Sequence, residues 1–121
     1  MPRFLSSEWI EALDASLASS VFASGVRLVI QHLVDDDIAY YVAVDDERAR
    51  VRAGRAEDPT VTFTQDDTTA AAIAQGRLSA QQAFMSGRLV VRGDLPALNG
   101  ARDVMDELDR AFRSVRQQTE F

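Results

Sequence analysis

Cysteine is absent from this chain, so it has no disulfide framework and no thiolate chemistry. Lysine is absent as well. All thirteen basic residues are arginine, which reads as a mark of GC-rich coding sequence rather than of mechanism. A single histidine, His32, leaves no His-rich or Cys/His metal pattern to assemble. No apolar run approaches the roughly 20 residues that span a bilayer. The opening MPRFLSSEWIEAL lacks the apolar core and small-residue cleavage site of a signal peptide. Nineteen acidic residues against thirteen basic give a net charge of -6, which disfavours nucleic acid and anionic membrane surfaces as partners. These absences point to a cytoplasmic protein without an integral membrane segment. They name no protein partner.

What is present fits one domain over residues 1–121, a size at which roughly 65% of the unfolded surface is buried. Ser6 or Ser7 can cap a first helix whose Trp9, Ile10, Leu13 and Leu17 form an apolar stripe, with Glu11 and Asp14 on the other face. Gly25 separates it from a β-branched strand at 26–34. The polar turn Asp35-Asp36-Asp37 and the returning strand 38–44 make a hairpin. After Asp45-Asp46-Glu47 a third strand, 48–53, alternates Arg48, Arg50 and Arg52 outward with Ala49, Val51 and Ala53 inward. Val61 and Phe63 alternate with threonines in a fourth strand. A final helix is expected from about Pro96 to Val115, weakened by Gly100, with Val104, Met105, Leu108, Phe112 and Val115 on one stripe.

Residues 58–98 carry the most information. Thr64 followed by Asp67 reads as a helix start, and the Ala-rich helix 66–75 stops at Gly76. Ser79 to Gln82 repeats the capping signature before Ala83, Phe84 and Met85, and Gly87 ends that short helix. A fifth strand at 89–92 closes at Gly93-Asp94. Gly76-Arg77-Leu78 and the stretch from Ala83-Phe84 through Gly87, Leu89 and Gly93-Asp94 supply a G-x-L segment followed by A-F-x-x-G-x-L-x-x-x-G-D. This order resembles the sterol carrier protein 2 (SCP2-like) family of small lipid-binding domains. The resemblance implies an α+β fold: a five-stranded, largely antiparallel sheet, helices on one face, and an apolar cavity between them. It also implies binding and transfer of fatty acids, acyl conjugates or sterols. The family's longer members carry a C-terminal peroxisomal address, whereas this chain ends Gln118-Thr119-Glu120-Phe121, so no peroxisomal location is expected.

Catalytic chemistry is hard to assemble. His32 has no Ser or Asp motif beside it and reads as structural or solvent-facing. The acidic clusters lack the spacing of a calcium loop and read as turns. No G-x-G-x-x-G or Walker loop is present. Arg48, Arg50, Arg52 and Arg55 form one basic strand face, open to a headgroup or an acidic partner, or simply solvated and neutralised by Glu47 or Glu57. Large apolar side chains remain: Phe84, Met85, Leu89, Met105, Leu108 and Phe112, with Phe63 and Ile73 facing the same space. Each could be plain core. The resemblance makes them the candidate ligand-binding residues, with Phe84 and Phe112 expected to outweigh the terminal Phe4 and Phe121.

The resulting expectation is a lipid carrier that sequesters an apolar ligand and uses no catalytic residue, metal or cofactor. Two alternatives stay open. One is a biosynthetic enzyme orienting a reactive substrate in the same pocket, with Tyr40, Tyr41 and Asp94 as polar groups. The other is a protein-interaction module using the arginine face.

Overall fold

A hydroxyl fixes where the chain starts to fold. In the computed structural model, which describes residues 2–22 and 25–121, Ser6 Oγ accepts the Trp9 N–H at 3.2 Å and opens α1, Ser7–Ser16. Trp9, Ile10, Leu13 and the following Leu17 are all buried, as the spacing-four stripe requires. Asp14 departs from the expected solvent face. It sits half-buried against β3, Arg48–Ala53, where its Oδ1 accepts the Val51 N–H at 2.9 Å and an Arg52 guanidinium N–H at 2.9 Å. β3 is an edge strand, and the carboxylate occupies one of its free backbone donors. Arg52 is therefore tied to Asp14 rather than to Glu47 or Glu57.

β1 (Arg27–Val34), β2 (Ile38–Asp45), β4 (Val61–Gln65) and β5 (Val90–Gly93) complete a five-stranded sheet in the order β3-β2-β1-β4-β5. Every pairing is antiparallel except β1 with β4. The β1–β2 and β2–β3 turns place Asp35, Asp36 and Asp46 at positive φ of 55°, 63° and 55°, which aspartate tolerates better than most residues. Two of these carboxylates hold backbone: Asp46 accepts from Gly25 N–H at 2.7 Å and Asp35 from Asp67 N–H at 3.3 Å.

β4 runs two residues further than its apolar alternation suggested, because Thr64 and Gln65 pair with Leu33 and Val34 of β1. The cap of α2 (Asp67–Ala74) is consequently Asp66 rather than Thr64. Its carboxylate accepts the Thr69 N–H at 2.7 Å, a bond that holds Asp66 below the usual carboxylate range. Ser79 and Gln82 form the expected capping box at α3, Ala80–Met85. Gly76 and Gly87 follow α2 and α3 at φ of +77° and +80°, and in each case the next residue's N–H reaches back five residues in a Schellman closure. Gly100 splits the last helical stretch into α4 (Leu95–Asn99) and α5 (Arg102–Gln117).

The chain ends meet. Phe4 N–H donates to Glu120 O at 2.9 Å and Glu120 N–H to Pro2 O at 2.8 Å. The buried Trp9 indole N–H donates to Thr119 Oγ1 at 3.1 Å, and that hydroxyl donates to Val115 O at 2.6 Å. Phe4 is half-buried against Trp9 and Phe121.

Gly93 separates two kinds of glycine requirement. Its φ is +116°, and a methyl group there would collide with the Thr60 carbonyl oxygen, which accepts the Asp94 N–H at 2.9 Å. At Gly87 nothing crowds the position, so only the backbone conformation is strained. Gly87→Ala should cost about 1 kcal/mol, or roughly 4 °C in melting temperature. Gly93→Ala should cost clearly more by calorimetry, and equal losses would contradict the close approach at Thr60.

Candidate apolar binding cavity

Cross-strand register builds the floor of a cavity. Tyr40 lies opposite His32 across the β1–β2 ladder, and His32 lies opposite Phe63 across the parallel β1–β4 ladder. The three rings form one row: His32 stacks on Tyr40 at 4.6 Å with planes 7° apart, and meets Phe63 edge-on at 5.3 Å and 87°. Trp9 stands edge-on to Tyr40 at 5.5 Å. The next row contributes Val42 and Ile30, and Gln65 lies one strand repeat beyond Phe63.

Three helices close over this floor. α1 supplies Trp9 and Leu13, α2 supplies Ala70, Ile73 and Ala74, and α5 supplies Met105, Leu108 and Phe112, with Phe4 joining from the N-terminal segment. The space between them, partly open to solvent, measures about 220 Å³. Asp109 and Arg116 also reach its lining, joined at 2.7 Å. Arg113 approaches the same carboxylate at 3.5 Å.

The cavity wall is mostly hydrocarbon with two polar side chains left unsatisfied. His32 Nδ1 and Gln65 Oε1 are both buried without a hydrogen-bond partner. Burial removes the water that would stabilise an imidazolium, so the His32 pKa is pulled down from 6.5 to about 4 and the ring is neutral at pH 7. Burial likewise pushes the Tyr40 phenol well above its ordinary range.

Five of the candidate residues read from sequence come together here: Phe63, Ile73, Met105, Leu108 and Phe112. Three stand elsewhere. Phe84 is 51% exposed and Met85 77%, because a six-residue helix buries only one position and Ala83 takes it. Leu89 is buried outside the cavity wall. Of the four phenylalanines compared, Phe4 and Phe112 line the cavity, and Phe84 and Phe121 do not. Tyr40 lines it as well, whereas Tyr41 points to the opposite sheet face and Asp94 caps α4 by accepting the Ala97 N–H. His32 was missed because a strand histidine carries no sign of which face is covered. Gln65 could have been found by carrying the Val61, Phe63 alternation two residues on.

A model of the SCP-2 sterol transfer family matches residues 10–106. The chain belongs to that family. Solved structures share the fold. The crystal structure of sterol carrier protein 2 like 2 from Aedes aegypti is 25% identical, with a TM-score of 0.57 over 80% of this chain and 93% of that one. The palmitated SCP2L2 of Aedes aegypti, determined by NMR, is 22% identical with a TM-score of 0.62 over 82% and 93%. The inverting sec-alkylsulfatase Pisa1 from Pseudomonas sp. is 20% identical with a TM-score of 0.54. The match covers 69% of this chain and 14% of that enzyme, so this chain spans a small part of the sulfatase's length. No curated protein matches the chain. Among the described residues, no helix is long and apolar enough to cross a membrane.

The depressed pKa of His32 makes a sign-definite prediction. The unfolded chain binds a proton near pH 6.5 and the folded chain only near pH 4, so stability falls as pH drops through that window. Between pH 7 and pH 4.5 this one group should remove about 2–3 kcal/mol. His32→Phe keeps the ring row and cannot titrate. Urea unfolding at both pH values should show the variant losing correspondingly less than the wild type, and parallel losses would contradict a buried neutral His32.

Proposed function

We propose that this chain is a cytoplasmic lipid-binding and transfer domain, residues 1–121 acting as one unit that shelters an apolar chain in the cavity. The supporting observation is the cavity itself: a space between one sheet face and three helices, walled by Phe63, Ile73, Met105, Leu108 and Phe112. Its volume of about 220 Å³ lies below the roughly 300–1,000 Å³ of pockets that hold drug-sized ligands. At about 30 Å³ for each water-sized group, it takes about seven chain carbons. Burying them gains up to about 6 kcal/mol before ordering costs are subtracted. A slender alkyl chain suits this space better than fused rings, which would have to displace α2 or α5. Met105 is the side chain best able to yield, being unbranched and flexible.

The enzyme reading has less support. The groups it would use are dispersed, since Tyr40 alone of Tyr40, Tyr41 and Asp94 lies at the cavity. The likeness to the sulfatase concerns a small part of that protein.

Delipidated protein titrated with a fluorescent fatty-acid analogue should bind it saturably and release it to medium-chain alkyl competitors. Phe63→Ala with Phe112→Ala should weaken binding by about tenfold or more, while Phe84→Ala with Met85→Ala should leave it nearly unchanged. Absence of saturable binding, or a loss confined to the α3 pair, would overturn the reading.

A further inference from the structure

The short helix α3 leaves an apolar tip uncovered. Phe84 is 51% exposed and its neighbour Met85 77%. Ala83 is the buried residue of this helix, and at about 100° per residue Met85 lies roughly 200° round the axis from it, facing outward. Single exposed apolar side chains need no explanation, but this pair sits in unusual electrostatic surroundings. Residues 68–93 hold none of the chain's nineteen acidic residues and three of its arginines, Arg77, Arg88 and Arg92. The segment is thus locally +3 in a chain of net charge -6. All three arginines are exposed, and the ion pairs among the described residues use other arginines. Arg77 stands three residues before α3 and Arg88 three residues after it, so the two bracket a helix only about 9 Å long. We propose that α3 and its flanking turns are a docking surface for an anionic lipid bilayer, with Phe84 and Met85 entering the interface and Arg77 and Arg88 meeting the headgroups.

Charge and size favour a bilayer over a protein. Two side chains present far less than the roughly 800 Å² that each partner buries in a standard protein interface. A second copy of this chain would set Arg77 and Arg88 against their own like charges. A bilayer asks for no matching shape: it takes the two side chains at its acyl boundary while the guanidinium groups stay among the phosphates. The acids near the patch are on other elements. Asp66 feels the charge of Arg88 but is held by the Thr69 N–H as the cap of α2, and Asp67 and Glu120 border a surface groove with Arg77. Arg48 and Arg50 on β3 are basic too, but Ala49 and Val51 beside them are not exposed, so that strand offers charge without an apolar tip. The net charge of -6 disfavours anionic surfaces for the chain as a whole, and its uneven placement selects the one face that can approach them. That face adjoins the cavity wall, since Arg77 follows three residues after the cavity-lining Ala74.

The docking surface stands apart from the carrier reading, and one set of variants separates them. The full chain is sedimented with vesicles of phosphatidylcholine alone and of an equal mixture of phosphatidylcholine and phosphatidylglycerol, at low and high salt. Wild type should bind the mixed vesicles at least about tenfold more tightly than the neutral ones, and added salt should weaken that binding. Phe84→Ser with Met85→Ser, and separately Arg77→Gln with Arg88→Gln, should each lose about tenfold or more on mixed vesicles, whereas Arg48→Gln with Arg50→Gln should lose little. All three should keep the wild-type affinity for a fluorescent fatty-acid analogue in solution. Should the Phe84, Met85 variant fail to fold, as judged by its melting curve, the two arginine pairs decide. No vesicle binding by wild type, or equal losses for the two arginine pairs, would overturn the docking surface and leave the carrier reading standing. A vesicle-free dimer that dissociates on Phe84→Ser with Met85→Ser would assign the tip to a second copy and overturn it as well.

Discussion

The parallel pairing of β1 with β4 is the constraint on which the rest of this molecule depends. β1 is the middle strand, held by β2 on one side and by β4 on the other. Only this arrangement brings Phe63 and Gln65 alongside His32, when the chain order alone would stack β4 next to β3. The register then decides the chemistry: Tyr40, His32 and Phe63 fall in one row and place an imidazole between two aromatic rings. A one-residue slip of β1 against its neighbours would turn His32 to the other face and break the row. The apolar residues on the helix-facing side of β1, Leu28, Ile30 and Val34, are each almost wholly buried, which penalises such a slip.

The second tie joins the ends of the chain over the same space. Trp9 satisfies its indole N–H on Thr119, so α1 and the segment after α5 cannot part without exposing a large ring and breaking a buried bond. Phe4 and Phe121 continue the aromatic contacts outward from Trp9. The cavity roof is thereby fixed on two sides, at α1 and α5. The α2 side is built from small residues, Ala70 and Ala74, beside Ile73. Satisfied polar groups hold the frame together, and among the described residues two of the three buried side-chain atoms without a partner belong to cavity-lining residues, His32 and Gln65, the third being Thr69 Oγ1. Departures from local rules of this kind are expected at sites that serve binding rather than folding.

Much of the fold was legible from local chemistry. The alternation of Arg48, Arg50 and Arg52 with Ala49 and Val51, the Ser79 capping box, and glycines 76 and 87 after short helices each act over a few residues, and each was correctly placed. The errors lie where tertiary contacts override local pattern. Thr64 was read as the cap of α2, and pairing with β1 kept it in the strand. Asp14 looked solvent-facing until the edge of β3 needed an acceptor. At the cavity the apolar residue types were readable, but their direction was not. Phe84 and Met85 are as apolar as Phe112 and Met105, yet α3 turns them outward because Ala83 fills its single buried position. His32 and Gln65 are polar, and an apolar search passes over such residues.

The contrast between the two internal methionines gives the most direct test of where a ligand sits. The chain has three, Met1, Met85 and Met105, and of the two among the described residues only Met105 lines the cavity. Protein labelled with ¹³C at the methionine methyl groups and titrated with a medium-chain alkyl ligand yields three resolvable signals. The account predicts that the Met105 methyl shifts with saturation while that of Met85 stays in place. A saturable shift at Met85 with Met105 unmoved would contradict it and transfer the binding surface to the exposed side of α3.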